Sequence, residues 1–306
     1  MISLFTIPSY NIDTSKFKSL LHDDIVTEFE NNFASYVGAK YAVSLNSATN
    51  AIYLINKLWE SKSEYIIPTM IPPVVCNAII TSGGYLAFKD NTSWVGNSFL
   101  LDSRIGWNIF DSAQKVERNQ FINESIFDED LIYFSFYPTK MVSSCDGGMI
   151  VSNDKSKIDL IRQMTFNGMS QESNNWERKQ NAIGYKMYMN SLSVYIANEN
   201  LKKLDKKKRK ILKVREKYND AFGLNNTSEH LYRINVKNRD KFMQRAKGMD
   251  IVCGIHYDCA HLNPIFKHTF QNLKKSEKES KTTVSIPMHE ELTEKDIDKV
   301  IKLVNG

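Results

Sequence analysis

The stretch FSFYPTKMVSSCDGGMIVS, Phe134 to Ser152, contains two apolar runs separated by a polar loop, and Lys140 sits in that loop ahead of the glycine pair Gly147 and Gly148. An apolar strand that ends in such a loop holds an amine at the edge of a sheet and leaves it accessible. A single loop lysine is otherwise a solvated charge, so its meaning depends on what the rest of the chain brings to it.

Outward from this stretch, short apolar runs alternate with helical patterns. In DDIVTEFENNFASYVG, residues Ile25, Phe29, Phe33 and Val37 recur every four positions, which predicts an amphipathic helix ending at Gly38. A strand follows over Tyr41 to Leu45. NSATNAIYLINKLW then reads as a polar turn and a helix with Ala51, Ile52, Leu54, Ile55 and Leu58 on its buried face. YIIP near residues 65–68, a helix from Val74 to Thr81, YLAF near 85–88, FLLD, NIFD and LIYFSF continue the pattern. Apolar strands separated by helices imply an α/β domain with a mostly parallel sheet covered on both faces, expected over residues 1–200. Residues 89–108 are too few for another full helical crossover.

Residues 201–306 are expected to hold a bridging helix and a small α+β domain. The helix begins near Ser193 and carries Leu204, Ile211 and Tyr218 at successive sevens, with charge on its other faces. The basic run from Lys202 to Lys217 is broken by Leu204, Asp205, Ile211, Leu212, Val214 and Glu216 at helical spacing, and so reads as a solvated face, not a nucleic-acid stripe. HLYRINV, RDKFMQRAKG and IVCGIHY supply further elements. Thr293 and Asp296 have the spacing of a capping box ahead of a last helix with Ile297, Val300, Ile301 and Val304 on one face.

With 306 residues, 42% hydrophobic and 25% charged, the chain has the profile of a folded globular protein. A net charge of +5 is too small to select a partner class by itself. Cys76, Cys145, Cys253 and Cys259 form no CxxC pair, which favours free thiols in a reducing compartment. The start MISLFTIPSYNID shows no basic leader ahead of an apolar run, and no window approaches the roughly 20 apolar residues of a membrane span. A cytoplasmic protein without membrane or nucleic-acid partners is therefore expected.

Two further segments give Lys140 a context. In NIFDSAQKV, Asp111 follows a predicted strand and Gln114 lies three positions on. A carboxylate at the ligand-facing end of a strand can keep a pyridine nitrogen positively charged, as a pyridine cofactor requires to act as an electron sink. In LNSATNAI, the hydroxyls of Ser47 and Thr49 and the backbone of Ala48 stand at a helix start, where N–H groups cradle phosphate. Ser47 and Thr49 serve equally well as plain helix caps. Together the three segments supply an amine, a ring partner and a phosphate seat.

LNSATNAI, FDSAQ, FSFYPTK, DGGMIVSND, GYKMYMNS, LKKLDKKKR and the IHY segment with its following histidine resemble, in the same order, the motifs of the DegT/DnrJ/EryC1/StrS family of pyridoxal-phosphate sugar aminotransferases. The resemblance runs from Phe29 to Leu303 and implies an aspartate-aminotransferase-like fold of type I. It implies that Lys140 forms the Schiff base with pyridoxal 5'-phosphate. Asp111 would contact the pyridine nitrogen, Gln114 would lie near the ring, and Ser135, Ala48 and Thr49 would meet the phosphate. It also implies glutamate as amino donor, a nucleotide-linked keto sugar as acceptor, and a homodimer in which the segment around Met187, Tyr188 and Met189 lies beside the partner's cofactor.

In GIHYDCAHLNPIF, His256, Tyr257 and His261 are expected on the substrate side of the site. With Cys253 and Cys259 they match no strong zinc spacing, and no metal is expected. Several features depart from the family pattern. The aromatic residue that covers the cofactor ring is replaced near Pro72, a full crossover is missing at NTSWVGNSFLLDSRIGW, and Tyr188 stands near a family Asn or Arg. Two alternatives remain: a dehydratase that keeps the cofactor, which the presence of Lys140 opposes because the resemblance associates that change with loss of the lysine, and a paralogue that binds sugar or protein without turnover, which the missing crossover and the altered ring-covering position support.

Overall fold

The computed structural model describes the chain except residues 8–9, 11, 17, 21–23, 60–63, 172–177 and 267–270. Asp23, at the start of the first expected helix, therefore lies outside the described residues. The helix itself spans Asp24–Val37 (α1) and is followed by β1 (Tyr41–Leu45) and α2 (Ala48–Leu58). β2 (Glu64–Pro68), α3 (Pro73–Thr81) and β3 (Tyr85–Lys89) then form a parallel strand pair with its crossover. The stretch expected to be too short for a helical crossover is instead a hairpin of β4 (Phe99–Arg104) and β5 (Trp107–Asp111). It turns at Gly106, whose φ of +82° a residue with a Cβ would resist.

A short helix α4 (Gln120–Glu124) leads to β6 (Leu131–Ser135), and β7 (Gly148–Ser152) and α5 (Lys155–Thr165) follow the lysine loop. The central sheet has the order β1-β7-β6-β5-β4. β1, β6 and β5 point the same way, while β7 and β4 run against them. The sheet is thus mixed, with its shared direction kept by the strands that carry the site. The reversal of β4 has a simple cause: a hairpin can only join antiparallel strands.

Both faces of this sheet are covered, and alternation explains why LIYFSF is almost wholly apolar. Ile132 and Phe134 of β6 join the core that includes Phe29, Phe33 and Phe136, whereas Leu131 and Tyr133 join a second core with Leu45, Ile55 and Ile109. The rings of Phe33 and Phe134 meet edge to face at 4.9 Å.

A small hairpin of β8 (Met169–Gln171) and β9 (Arg178–Gln180) precedes α6 (Ser191–Phe222), which runs unbroken through position 200. Leu204, Ile211 and Tyr218, the expected stripe, are all buried on it. Beyond it lie β10 (Tyr232–Asn235), α7 (Arg239–Gly248), α8 (Lys274–Thr282), β11 (Thr283–Ile286) and α9 (Glu294–Asn305), with β10 and β11 paired antiparallel. The capping box at Thr293 and Asp296 is formed. IVCGIHY is held by isolated bridges, Ile251 to Ile2 and Gly254 to Ser285, without becoming a regular strand. Among the described residues no helix is long and apolar enough to cross a membrane.

Candidate active site

Leu45, Asp111 and Ser135 end β1, β5 and β6, and a cavity of about 490 Å³ opens beyond them. Carboxyl ends of parallel strands are where open α/β sheets bind ligands, because the following loops and helix starts diverge there. α2 begins at this edge. Ser47 caps it, its Oγ accepting the Asn50 N–H at 3.2 Å, and Ser47, Ala48, Thr49 and Ser135 all line the cavity. The helix start reaches β7 so closely that a Cβ on Gly148 would stand 2.7 Å from the Ala48 nitrogen. Glycine at 148 is what lets the strand and the N-terminal amides share this edge.

Asp111 is 4% exposed and its Oδ1 accepts the Ala113 N–H at 2.9 Å. It pairs in register with Tyr133 on β6. Burial raises the Asp111 pKa, and the Tyr133 hydroxyl, the Ala113 amide and the Lys140 charge offset this only in part. Lys140 lines the same cavity, its backbone N–H bonded to the Tyr137 carbonyl at 2.8 Å in the loop after β6. Burial lowers its pKa to about 8, against the opposing pull of Asp111. An amine whose pKa stands near neutrality is a competent nucleophile and proton carrier.

The far wall is aromatic. Tyr257 and His256 line the cavity with Phe5, Trp94 and His230. Burial, Lys140 and Arg233 lower the His256 pKa to about 4, and its Nδ1 shares a hydrogen bond with Ser285 Oγ at 2.8 Å. His230 is 6% exposed, stacks on Phe5 at 5.2 Å, and is held well below the usual imidazole pKa by burial and then by Lys140 and His256. Burial thus favours the neutral form of both imidazoles.

The structure brings Lys140, Asp111, Gln114, Ser47, Ala48, Thr49, Ser135, His256 and Tyr257 onto one cavity. Within the cavity wall the Gln114 amide bonds to protein at both ends, its Oε1 accepting from Gly96 N and its Nε2 donating to Tyr257 Oη. His261, expected on the substrate side, does not line this cavity. It is 5% exposed, shares a 2.6 Å hydrogen bond with Thr69 Oγ1 and faces Glu277 at 3.3 Å, because the turn after Tyr257 carries it behind the wall. Tyr188 also stays outside, packed against Phe166. Met189, expected to offer surface to a partner, is 1% exposed and packs against Gly147.

Phe5, Trp94 and His230 escaped the sequence reading. His230 opens the HLYRINV run and looks there like a strand residue, while Phe5 and Trp94 lie in segments whose docking depends on distant partners. Ile2, for example, pairs with Ile251. Among the described residues no group of three or more His, Cys, Asp or Glu is arranged to hold a metal ion.

A model of the DegT/DnrJ/EryC1/StrS aminotransferase family matches residues 12–94 and 127–305; Asp111 and Gln114 fall between the two stretches. Among curated proteins the chain is similar to the spore coat polysaccharide biosynthesis protein SpsC of Bacillus subtilis, 25% identical over 91% of this chain and 88% of that one. It is also similar to a UDP-4-amino-4,6-dideoxy-N-acetyl-beta-L-altrosamine transaminase of Campylobacter jejuni, 23% identical over 96% and 94%. Among solved structures, the aminotransferase TlmJ of Streptoalloteichus hindustanus superposes with a TM-score of 0.82 at 19% identity, covering 99% of this chain and 98% of that chain. Helicobacter pylori PseC, an aminotransferase involved in pseudoaminic acid biosynthesis, superposes with a TM-score of 0.80 at 17% identity, covering 98% of both. At these identities the superpositions establish the fold.

Proposed function

Because the chain belongs to the DegT/DnrJ/EryC1/StrS aminotransferase family, we propose that it uses pyridoxal 5'-phosphate at Lys140 to transfer an amino group from glutamate to a nucleotide-linked keto sugar. The observation that carries this reading is the convergence of Lys140, Asp111 and the start of α2 on one cavity. Its donor set fits the cofactor: an amine, a buried carboxylate and a helix start flanked by the hydroxyls of Ser47, Thr49 and Ser135.

Pyridoxal phosphate supplies a carbonyl for amine exchange and a cationic ring that accepts electrons. The amides at the start of α2 and the three hydroxyls would hold the phosphate. Asp111 would keep the proton on the ring nitrogen. Lys140, with its pKa lowered to about 8, would take and return the proton at the carbon that gains or loses nitrogen. His256 and Tyr257 give the acceptor sugar neutral hydrogen-bonding groups and an aromatic surface.

The partner would be a second copy of this chain. Lys140 is the only lysine or arginine lining the cavity among the described residues, whereas glutamate brings two carboxylates. Cations from across a twofold interface supply what one subunit lacks. On this reading the enzyme works in the cytoplasm, in keeping with its four free cysteines.

The test is borohydride reduction of the protein loaded with pyridoxal phosphate, followed by mapping of the fixed label. Label on Lys140 is expected, and label elsewhere, or none, overturns the assignment. Glutamate alone should then discharge the visible band of the unreduced protein. Light scattering across a concentration series should give twice the chain mass, and a fully active monomer would refute the shared site.

A further inference from the structure

The side-chain amide of Gln114 joins two parts of the molecule that are distant in sequence. Its Oε1 accepts the Gly96 N–H at 2.6 Å, and its Nε2 donates to Tyr257 Oη at 2.8 Å. A backbone N–H can only donate, so Gly96 dictates which end of the amide is oxygen, and the other end must be the donor. Tyr257 therefore accepts from Gln114 and keeps its own hydrogen. Among the described residues Tyr257 Oη makes no other hydrogen bond, and Tyr257 lines the cavity that holds Lys140 and Asp111.

Other contacts fix the parts of this chain of bonds. Gly96 has φ +89° and its carbonyl accepts Ser228 Oγ at 3.0 Å. A Cβ at 96 would collide with that same serine, so the turn needs glycine. Trp94, two residues earlier, stacks parallel to Tyr257 at 6.2 Å with an interplanar angle of 8°. Gln114 itself is 4% exposed. The turn that stands in place of the missing crossover thus holds the tyrosine both by its ring and, through Gln114, by its oxygen.

We propose that Gly96, acting through Gln114, fixes Tyr257 as a hydrogen-bond donor into the cavity, aimed at an oxygen of the bound cofactor or of the acceptor sugar. Gln114 is then a positioning residue for Tyr257. The proposal rests on the function above only for the identity of that oxygen.

Two substitutions separate polarity from shape. Tyr257→Phe removes the donor. Gln114→Glu keeps the bond from Gly96 but presents an acceptor to Tyr257, which turns the phenolic hydrogen away from the cavity. Each should weaken the same step by about tenfold, the worth of one hydrogen bond. The double variant should lose no more than either single variant, because both remove one interaction.

Absorbance titration with pyridoxal phosphate alone, without sugar, reads the cofactor arm: a matching fall in affinity in both variants assigns the oxygen to the cofactor. Unchanged cofactor affinity with a matching rise in KM for the sugar assigns it to the substrate. Losses that add in the double variant, or a Tyr257→Phe protein with wild-type cofactor affinity and KM, overturn the proposal. Should Gln114→Glu fail to fold, Gln114→Leu removes both bonds without adding charge; its loss must not exceed that of Tyr257→Phe, and a larger loss means that Gln114 contacts the ligand itself. Labelling of wild-type Lys140 decides the function separately, since the bond polarity is read only from ratios of variant to wild type.

Discussion

Asp111 and Lys140 line one cavity, and each favours the ionised form of the other against the effect of burial. Burial pushes the carboxyl up and the amine down to about 8, and the attraction between them limits both shifts. The chemistry proposed for the site depends on this balance: a lysine that is partly neutral near physiological pH beside a carboxylate that can hold a ring cation.

Reductive methylation of Lys140 in the cofactor-free protein should follow a midpoint near pH 8, well below the ordinary lysine value. Asp111→Asn removes the one charge that opposes the shift, so the midpoint should move lower still. Peptide mass spectrometry after labelling across a pH series reads both values; a midpoint near pH 10 in the wild type, or an upward move in the variant, contradicts the account.

The same Asp111→Asn protein should fold while losing turnover by roughly hundredfold or more, the scale of a misplaced catalytic proton. Comparing kcat at saturating cofactor with the thermal midpoint separates the two effects. Equal kcat in the two proteins would remove Asp111 from the mechanism.

Gly148→Ala places a methyl 2.7 Å from the Ala48 nitrogen, where strand β7 meets the start of α2. The clash is with backbone, so the helix start must shift. A stability loss of about 1–3 kcal/mol is expected, together with weaker binding of pyridoxal phosphate than of unphosphorylated pyridoxal would predict. Denaturant melts and paired titrations with the two compounds check it; equal losses for both would mean that the phosphate is held elsewhere.

His256 titrates near 4 in the folded chain and near 6.5 when unfolded. Between those values the unfolded state binds more protons, so stability falls as pH drops from 6.5 towards 4. His256→Asn cannot titrate in this window and should show a shallower loss. Denaturant melts at several pH values supply the slopes, and parallel slopes would show that His256 is not buried as a neutral ring.

Thr293→Ala should cost about 1 kcal/mol, because its Oγ1 accepts the Asp296 N–H at 3.2 Å and closes the capping box of α9. Urea titration is sufficient to detect the change, and a variant as stable as wild type would mean that α9 does not unfold with the rest of the molecule.

What could be read directly from the chain was whatever depends on near neighbours. The four-residue spacing of Ile25, Phe29, Phe33 and Val37, the doubly buried LIYFSF run and the Thr293 capping box are local signals, and each became the element they predict. Helix α8 gave no such signal. KKSEKESKT has no apolar face, and its N-terminus is held by Asp90, which accepts from Ser276 N at 2.7 Å across 186 positions.

The sequence by itself determined the strand ends that carry Asp111 and Ser135, the loop that carries Lys140 and the helix start at Ser47, because periodicity and turn chemistry act over a few residues. Tertiary structure alone decided the far wall. It brought Phe5 against His230, placed Trp94 against Tyr257 and left His261 behind the cavity. These outcomes depend on contacts between residues 163 to 225 positions apart, and no local pattern encodes which of two histidines in one short run will face a ligand.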